Sequence, residues 1–333
     1  MSAKRTLSVL CFILLCACGV SERDPSATPY EPESTKPPTP ASTNNPEPTE
    51  TPIPTATATP IPTYSIDQAY QQIINWVENN GGCQLPCVWG FTPGQTNPAD
   101  MDRLHSTFEK MYLSKDLGIW VDKYDDLGGL SLIAHSGDIQ TNIDMSYDFK
   151  GEKRLKLIMF ETNAYRVTGS GSEKVLEYLF GNQDLLDLVD TYTLSSILDT
   201  YGAPSSILIA PNYVSRPELP DPSWIWFSVD LIYEERGFLS EYIMPRRMIS
   251  DSFAACAYQV AEISIVTWDP DQSVPLAEAL SIKSGLGINE YLLDYFKPLE
   301  EATTLTIEEF TEIFQDPDTD ACIYTPMELW PNP

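Results

Sequence analysis

Tyr233-Glu234-Glu235-Arg236-Gly237 separates two apolar runs and has the order tyrosine, acid, any residue, base, glycine. The same order occurs in Tyr147-Asp148-Phe149-Lys150-Gly151, again between two apolar runs. A short polar stretch that ends in glycine between two such runs is typical of an antiparallel hairpin. The recurrence predicts two hairpins of one kind, in which Tyr147 and Tyr233 occupy equivalent positions and Gly151 and Gly237 end the turns.

A capped amphipathic helix precedes each hairpin. Thr193 caps a segment with apolar residues at helical spacing, and Gly202-Ala203-Pro204 ends it. In the earlier segment, Asn97-Pro98 supplies a cap and a proline in the first turn. We interpret 93–161 and 193–268 as two diverged units, each a helix followed by an antiparallel meander. Coincidence of common hairpin chemistry is the alternative.

The other predicted elements complete an α+β fold. A helix opens at a capping box that starts with Ser65 and ends at Asn80-Gly81-Gly82. A C-terminal helical part, 275–333, follows the two units, and its last helix begins at the capping box of Thr306. The predicted strands, joined in the first unit by tight turns at 136–138 and 150–151, are Leu130–Ala134, Ile139–Phe149, Leu155–Phe160, Ile207–Ala210, Trp224–Tyr233, Phe238–Met244 and Tyr258–Trp268. The remaining predicted helices are Leu276–Lys283 and Ile288–Phe296.

The order of these elements resembles two known groups of proteins. One group is the small outer-membrane-assembly lipoproteins of the SmpA/OmlA type. The likeness is carried by Gly94-Gln95-Thr96, the helices, Gly202-Ala203-Pro204 and the strands on either side of the two tyrosine turns, which follow Tyr147 and Tyr233. The same features also resemble the tandem-repeat β-lactamase-inhibitor proteins. The likeness covers 93–268, although the first unit lacks the Gly-x-Pro segment. Cys83–Gly94 separately resembles a segment of uncharacterised bacterial lipoproteins, which implies no particular activity.

The N-terminus predicts export and lipidation. Residues 1–17 combine Lys4-Arg5 with a short apolar run, as in a secretory signal peptide. The run is too short to span a bilayer of about 30 Å as a helix. Leu15-Cys16-Ala17-Cys18 resembles a bacterial lipobox, which implies an acylated, palmitate-bearing Cys18 on the extracytoplasmic face of the cell membrane. An ordinary signal peptide cut before Cys18, without lipid, is the alternative.

Residues 18–64 are predicted to be a disordered tether. Proline, threonine and serine dominate this segment, a composition that favours extended polyproline II and cannot bury a core. The Thr-Pro density also suits O-glycosylation, although such sequences are mostly plain linkers. The remaining residues, 65–333, are then an extracytoplasmic α+β region held away from the membrane.

The charge of the chain limits its partners. The sequence has 48 acidic and 20 basic residues, a formal net charge of −28. This balance excludes nucleic acid, which requires clusters of lysine and arginine, and it opposes docking on anionic lipid. A soluble, self-repelling surface explains the charge without a partner. An acidic face that binds cationic partners or Ca²⁺ is the more specific interpretation. No organic cofactor is predicted.

Four cysteines remain after the signal peptide and the lipidation site. An even number of cysteines in an exported chain indicates two disulfides, with three pairings available. We favour Cys83–Cys87, in a loop that proline keeps out of a helix, and Cys256–Cys322. Four thiolates on zinc are the alternative, but the spacing suits zinc poorly.

Few residues suggest catalysis or ligand binding. The two histidines, His105 and His135, have no nucleophile elbow or metal-binding motif beside them. Trp224 and Trp226 are two residues apart on one predicted strand and therefore share a face. This placement fits packing in the core or, alternatively, a platform on which sugar rings stack. Asp316, Asp318 and Asp320 have the first spacings of a Ca²⁺ loop but lack its later glycine and acid, and an acidic turn is the alternative.

These features predict a lipid-anchored extracytoplasmic module that binds or scaffolds an unknown protein or carbohydrate. Whether the chain is an enzyme stays open, although the small number of candidate catalytic residues favours binding. The alternative is an extracellular, glycosidase-like hydrolase that acts on cell wall or polysaccharide through carboxylates. An enzyme requires a cleft with two carboxylates about 5–10 Å apart and shifted pKa values. A binding module is expected instead to expose an apolar or aromatic patch.

Overall fold

The computed structural model describes residues 66–102, 117–124, 127–136, 138–149, 154–168, 175–213, 226–271 and 296–330. The chain divides between Ala58 and Thr59, and all described residues belong to the second of these two units. The predictions that lie outside the described residues are the signal peptide, Cys18, the tether, His105, the Lys150-Gly151 turn, Trp224, the helix Leu276–Lys283 and all but the last residue of the helix Ile288–Phe296.

Three of the described helices begin at a residue whose side chain caps them. Asn182, Thr193 and Thr306 each accept a backbone N–H at a helix start, and Thr306 with Glu309 forms the predicted capping box. The helices are α1 Ile66–Asn79, α2 at 98–102, α3 Gln183–Leu188, α4 Leu194–Tyr201, α5 Leu299–Ala302 and α6 Ile307–Phe314.

The strands form two antiparallel sheets. They are β1 Leu117–Tyr124, β2 Leu127–Ser136, β3 Ile139–Asp148, β4 Leu157–Thr168, β5 Val175–Tyr178, β6 Ser206–Tyr213, β7 Trp226–Tyr233, β8 Phe238–Pro245, β9 Arg247–Ile249, β10 Ser252–Cys256, β11 Glu262–Trp268, β12 Lys297–Pro298 and β13 Cys322–Pro326. The large sheet has the order β1-β2-β3-β4-β11-β8-β7-β6-β12, with β5 also paired to β4, and the small sheet has the order β13-β10-β9. Helices with antiparallel sheets confirm the α+β class.

Both predicted units follow the same strand order. In the first unit, β1, β2, β3 and β4 are neighbours in the sheet in the order in which they occur along the chain. In the second unit, β6, β7, β8 and β11 are neighbours in the same way. Strands β9 and β10 leave the second meander for the small sheet, and β4 pairs with β11 where the meanders meet. This order is compatible with duplication, which stays a prediction.

Several predicted boundaries were wrong. The sequence suggested no strand at β1 or β5, yet both pair in the large sheet. The predicted strands Ile139–Phe149 and Leu155–Phe160 correspond to β3 and β4, but β3 ends at Asp148 and β4 begins at Leu157. The predicted strand Tyr258–Trp268 begins instead at Glu262, because a 3-10 turn occupies the preceding residues.

The turn after β7 does match its prediction. Tyr233 pairs with Phe238, and Gly237 adopts a left-handed conformation with φ of 72°. A Cβ atom on Gly237 would lie 2.4 Å from the carbonyl oxygen of Trp268. Glycine is required here by both the dihedral angle and the close approach.

The helices cover one face of the large sheet. Ile73 and Val77 of α1, Met101 of α2 and Ile197 of α4 belong to the same buried cluster as alternate residues of β3, β4, β7, β8 and β11. Phe310 and Phe314 of α6 join this cluster, whereas Ile313, predicted to share their face, is exposed. The other face carries two smaller clusters, around Leu239 and around Trp226.

Candidate functional site

The predicted cysteine pairs are present. Cys83 is bonded to Cys87, and Cys256 is bonded to Cys322. Cys256 and Cys322 also lie directly opposite one another in β10 and β13, so the second bridge joins neighbouring strands of the small sheet. The four cysteines are therefore structural links, and none of them is a thiolate ligand for zinc.

Trp226 packs in the interior. Its side chain is 4% exposed, and its ring lies 5.1 Å from that of Tyr178 and 5.6 Å from that of Phe180. The burial leaves Trp226 little surface on which a sugar ring could stack.

The three aspartates of the suggested Ca²⁺ loop form a turn. Asp316 Oδ1 accepts a hydrogen bond from the backbone N–H of Asp318 at 3.0 Å, and Asp316 O accepts one from that of Thr319 at 3.2 Å. Among the described residues, no group of three or more histidine, cysteine, aspartate or glutamate side chains is placed to hold a metal ion. Asp320 accordingly does not converge with the other two on a shared ligand position. His135 lies near the end of β2.

The sheet face opposite the described helices carries a continuous row of polar residues. Their strand pairings place them directly opposite one another, in the order Ser131, Asp144, Glu161, Ser264, Glu241 and Asp230 across β2, β3, β4, β11, β8 and β7. Directly opposed residues share a face and have Cβ atoms about 4.5–5.5 Å apart. We call these six residues the polar row.

The end of the polar row at β7 and β8 is sealed. Asp230 is 0% exposed and Glu241 is 1% exposed. The hydroxyl of Ser228, two residues from Asp230, donates to Asp230 Oδ1 at 3.0 Å and to Glu241 Oε1 at 2.6 Å. Both buried carboxyl groups thus lie within hydrogen-bond distance of the Ser228 hydroxyl, as the burial of polar groups requires.

The other end of the row reaches the surface. Ser131, Asp144 and Glu161 are only half-buried. Burial raises the pKa of Asp144 above its usual value, although the hydrogen bond from the Ser131 hydroxyl opposes the shift. Gln140 and Asn142 continue the polar surface along β3 and are hydrogen-bonded to each other. The open end is therefore an acidic, acceptor-rich surface on β2, β3 and β4.

Two buried acceptors at the centre of this face have no hydrogen-bond partner. Ser264 and Asn163 are each 2% exposed, and Ser264 Oγ and Asn163 Oδ1 are both unpaired. The Asn163 amide nitrogen donates to Glu161 Oε1 at 3.4 Å, so only its oxygen is left. An unpaired buried polar atom costs free energy, which a bound hydrogen-bond donor would recover.

A pocket lies beside α3 and α4. This pocket has a volume of about 180 Å³ and is lined by Asp187, Asp190, Tyr258 and Asp316, among others. Ligand pockets typically have about 300–1,000 Å³. Its small volume and the exposure of Tyr258 make it a weaker site than the polar row.

Sequence reasoning missed the polar row because it considered carboxylates as isolated residues. Among 48 acidic residues, no spacing along the chain singles out Asp144, Glu161 and Glu241. The available signal was an acidic residue in the middle of an otherwise apolar strand, as in Trp226–Tyr233 and Phe238–Pro245. Register between strands, which brings these residues together, follows from tertiary structure.

Comparisons with known proteins place the chain beside none of them: no protein family, curated protein or solved structure matches it. Within the ranges that the structure describes, none of the helices is both long enough and apolar enough to cross a membrane.

Proposed function

We propose that this protein is a lipid-anchored, extracytoplasmic binding module. The signal-like segment, Cys18 and the proline-rich tether support anchoring to the cell membrane and presentation of residues 65–333 at a distance from it. The tether has the composition of a spacer, and a spacer serves a domain that must reach a partner. The resemblance to small envelope lipoproteins agrees with this location.

The observation that carries the binding function is the open end of the polar row. Half-buried Asp144 and Glu161 lie opposite one another, and the unpaired Asn163 amide oxygen and Ser264 hydroxyl lie beside Glu161. A stable sheet gains nothing from unpaired buried acceptors, whereas a ligand site uses them. The partner is a protein or carbohydrate that presents hydrogen-bond donors to this surface.

A carboxylate-dependent hydrolase is the second function that one observation favours. Asp144, whose pKa is raised by burial, faces Glu161 across one strand spacing. A carboxyl group with a raised pKa near a second carboxyl group is one element of a glycosidase site, in which the two groups lie about 5–10 Å apart. A glycosidase requires a deep cleft around its two carboxyl groups, whereas Asp144 and Glu161 are only half-buried, so binding is the better conclusion.

The anchor is tested by changing Cys18. We expect Cys18→Ala to release the protein into the medium or to leave it unprocessed, because the acyl chains supply the membrane affinity. Detergent partitioning of wild type and variant measures this directly. Unchanged partitioning of Cys18→Ala into the detergent phase would disprove lipidation at this residue.

Binding and hydrolysis are separated with purified wild type and Asp144→Asn on cell-wall and polysaccharide preparations. For a binding module, wild type is retained by the preparation and releases no reducing ends. Release of reducing ends by wild type, abolished in Asp144→Asn, would support the hydrolase and contradict the binding module.

A further inference from the structure

We propose that the pocket beside α3 and α4 binds an arginine side chain of a protein partner. This site goes beyond the function proposed for the polar row, because it lies on the other side of the large sheet. Ile263 of β11 lines the pocket and belongs to the buried cluster beneath the helices, whereas the next residue, Ser264, belongs to the polar row. Successive residues of a strand point to opposite faces, so the two sites are separate.

The inner wall of the pocket is apolar. Leu194 begins α4, Phe314 ends α6, Ile263 lies in β11, and Val260 lies just before that strand. These four residues are buried, with exposed fractions between 1% and 6%. The volume of about 180 Å³ is below that of most pockets for small molecules, so it suits one inserted side chain. The wall offers apolar contacts to the hydrocarbon part of that side chain.

The rim of the pocket is acidic. Asp187 of α3, Asp190 between α3 and α4, and Asp316 after α6 line the pocket and are exposed. The described residues that line it include no lysine, arginine or histidine. Asp187 Oδ1 accepts from the Gln183 side-chain amide at 2.6 Å, and Asp316 Oδ1 accepts from the backbone N–H of Asp318 at 3.0 Å. The second carboxylate oxygen of each takes no part in these bonds, so the rim presents negative charge and acceptors to a cation.

An apolar wall beneath an acidic rim matches the two parts of a long basic side chain. Lysine and arginine bury their methylene groups against apolar surface and keep the charged end near solvent. The three rim carboxylates come from three separate elements, and no group of carboxylates among the described residues is placed to hold a metal ion. A planar guanidinium with five N–H donors reaches dispersed acceptors better than a compact ammonium does.

Tyr258 adds a reason to prefer arginine to lysine. It lies in the 3-10 turn between β10 and β11, lines the pocket and is 50% exposed. A guanidinium stacks on an aromatic ring and also attracts it through a cation–π interaction, in which arginine is more frequent than lysine. Arginine is also one of the residues that most often anchor a protein interface. The exposed ring therefore gives an inserted arginine a contact that lysine uses less well.

The test uses the purified full chain and NMR titrations with capped amino acids. The probes are the Nα-acetyl methylamides of arginine, of lysine and of citrulline, which has the shape of arginine without its charge. We expect the arginine probe to bind about threefold more tightly than the lysine probe, because only the guanidinium stacks well on Tyr258. It should bind about tenfold more tightly than the citrulline probe, because hydrogen bonds to carboxylates are stronger from a charged donor. Free arginine carries a carboxylate that the acidic rim repels, so it should bind more weakly than the capped probe.

Variants assign the binding to the pocket. Asp190→Asn and Asp316→Asn each remove one charge from the rim and should weaken both basic probes about fivefold. Tyr258→Leu should abolish the preference for arginine over lysine while both probes still bind. The matched control is Asp184→Asn, which removes an exposed carboxylate of α3 that does not line the pocket. Asp184→Asn, and Asp144→Asn in the polar row, should bind the arginine probe as wild type does.

The assignment would be overturned by citrulline binding as tight as that of arginine, or by wild-type affinity for the arginine probe in both rim variants. Tighter binding of free arginine than of the capped probe would identify a small molecule instead of a protein partner. Absence of binding by every probe would refute the arginine site. None of these results affects the labelling of Asp144 and Glu161 on intact cells, which tests the polar row separately.

Discussion

At the scale of single residues, Asn80 organises the cysteine loop. Its amide nitrogen donates to the carbonyl oxygens of Cys83 and Cys87 at 2.9 and 2.7 Å. Its amide oxygen accepts from the backbone N–H of Trp89 and the hydroxyl of Tyr192, both at 2.8 Å. Asn80 is buried, so this side chain alone joins the end of α1, the disulfide loop and the segment before α4.

We expect Asn80→Ala to lower the free energy of unfolding by about 3–5 kcal/mol, because it leaves several buried polar groups unpaired. Asn80 has a φ of 55°, which alanine tolerates poorly. Asn80→Gly removes the side chain without that strain and should still be strongly destabilised. Denaturant titration measures all variants, with the exposed Asn79→Ala as control. A loss below about 1 kcal/mol in Asn80→Gly would contradict this role.

Asp144 predicts a pH dependence. Its pKa is raised in the folded protein, chiefly by burial, so the unfolded chain releases the proton more readily. Asp144 therefore destabilises the fold increasingly as pH rises from about its unfolded pKa of 3.8 through the higher folded value. The neutral amide that Asp144→Asn introduces lacks this penalty and can still accept a hydrogen bond from Ser131.

The stability difference between Asp144→Asn and wild type should consequently favour the variant more at pH 7 than at pH 4. Denaturant titrations at both values measure the difference, and Asp251→Asn at an exposed turn is the control. A difference that is independent of pH would show that Asp144 is not desolvated in the folded protein.

At the scale of elements, the turns after Tyr147 and Tyr233 were predicted from the sequence with different success. Gly237 was placed correctly because a left-handed residue after a short polar turn is a local requirement of the chain. The turn after Tyr147 was predicted to be equally tight, but residues 149–156 separate β3 from β4. The residue types in the turn do not indicate that the backbone N–H of Leu155 donates to the carbonyl oxygen of Thr96, a residue that is distant in the sequence.

Gly237 and Gly202 separate backbone strain from steric overlap. Both glycines have positive φ, but a Cβ atom at Gly202 would meet nothing within 4 Å. Gly202 has φ of 74° and ψ of −158°, a region essentially confined to glycine, so Gly202→Ala should cost about 1–3 kcal/mol of unfolding free energy from the dihedral angles alone. Gly237→Ala should cost clearly more, because its Cβ overlaps the Trp268 carbonyl oxygen. Equal losses in denaturant titrations would contradict this distinction.

At the scale of the whole molecule, the Cys256–Cys322 bridge joins chain segments 66 residues apart, whereas Cys83–Cys87 spans 4. Replacing Cys256 and Cys322 together by serine should lower stability by about 2–5 kcal/mol, because the longer loop restricts the unfolded chain more. The double serine variant at Cys83 and Cys87 should lose less. Denaturant titration under non-reducing conditions compares them, and a larger loss from the short loop would contradict the prediction.

The large sheet also explains why the site could not be predicted. The α+β class, the cap of α4 and the capping box of α6 follow from local sequence patterns. The polar row does not, because Glu161 and Ser264 become neighbours only when β4 pairs with β11. That pairing depends on the packing of all strands around one core, which no short segment encodes.

Carboxyl footprinting on intact cells tests the binding function most directly. A carbodiimide with glycine ethyl ester labels accessible carboxyl groups in the purified full chain and in the same chain displayed in its native envelope. We expect labelling of Asp144 and Glu161 to fall severalfold in the envelope, where the partner covers the open end of the polar row, while exposed Asp251 and Asp318 are labelled equally in both. Equal labelling of Asp144 and Glu161 in the two states would contradict binding at this face.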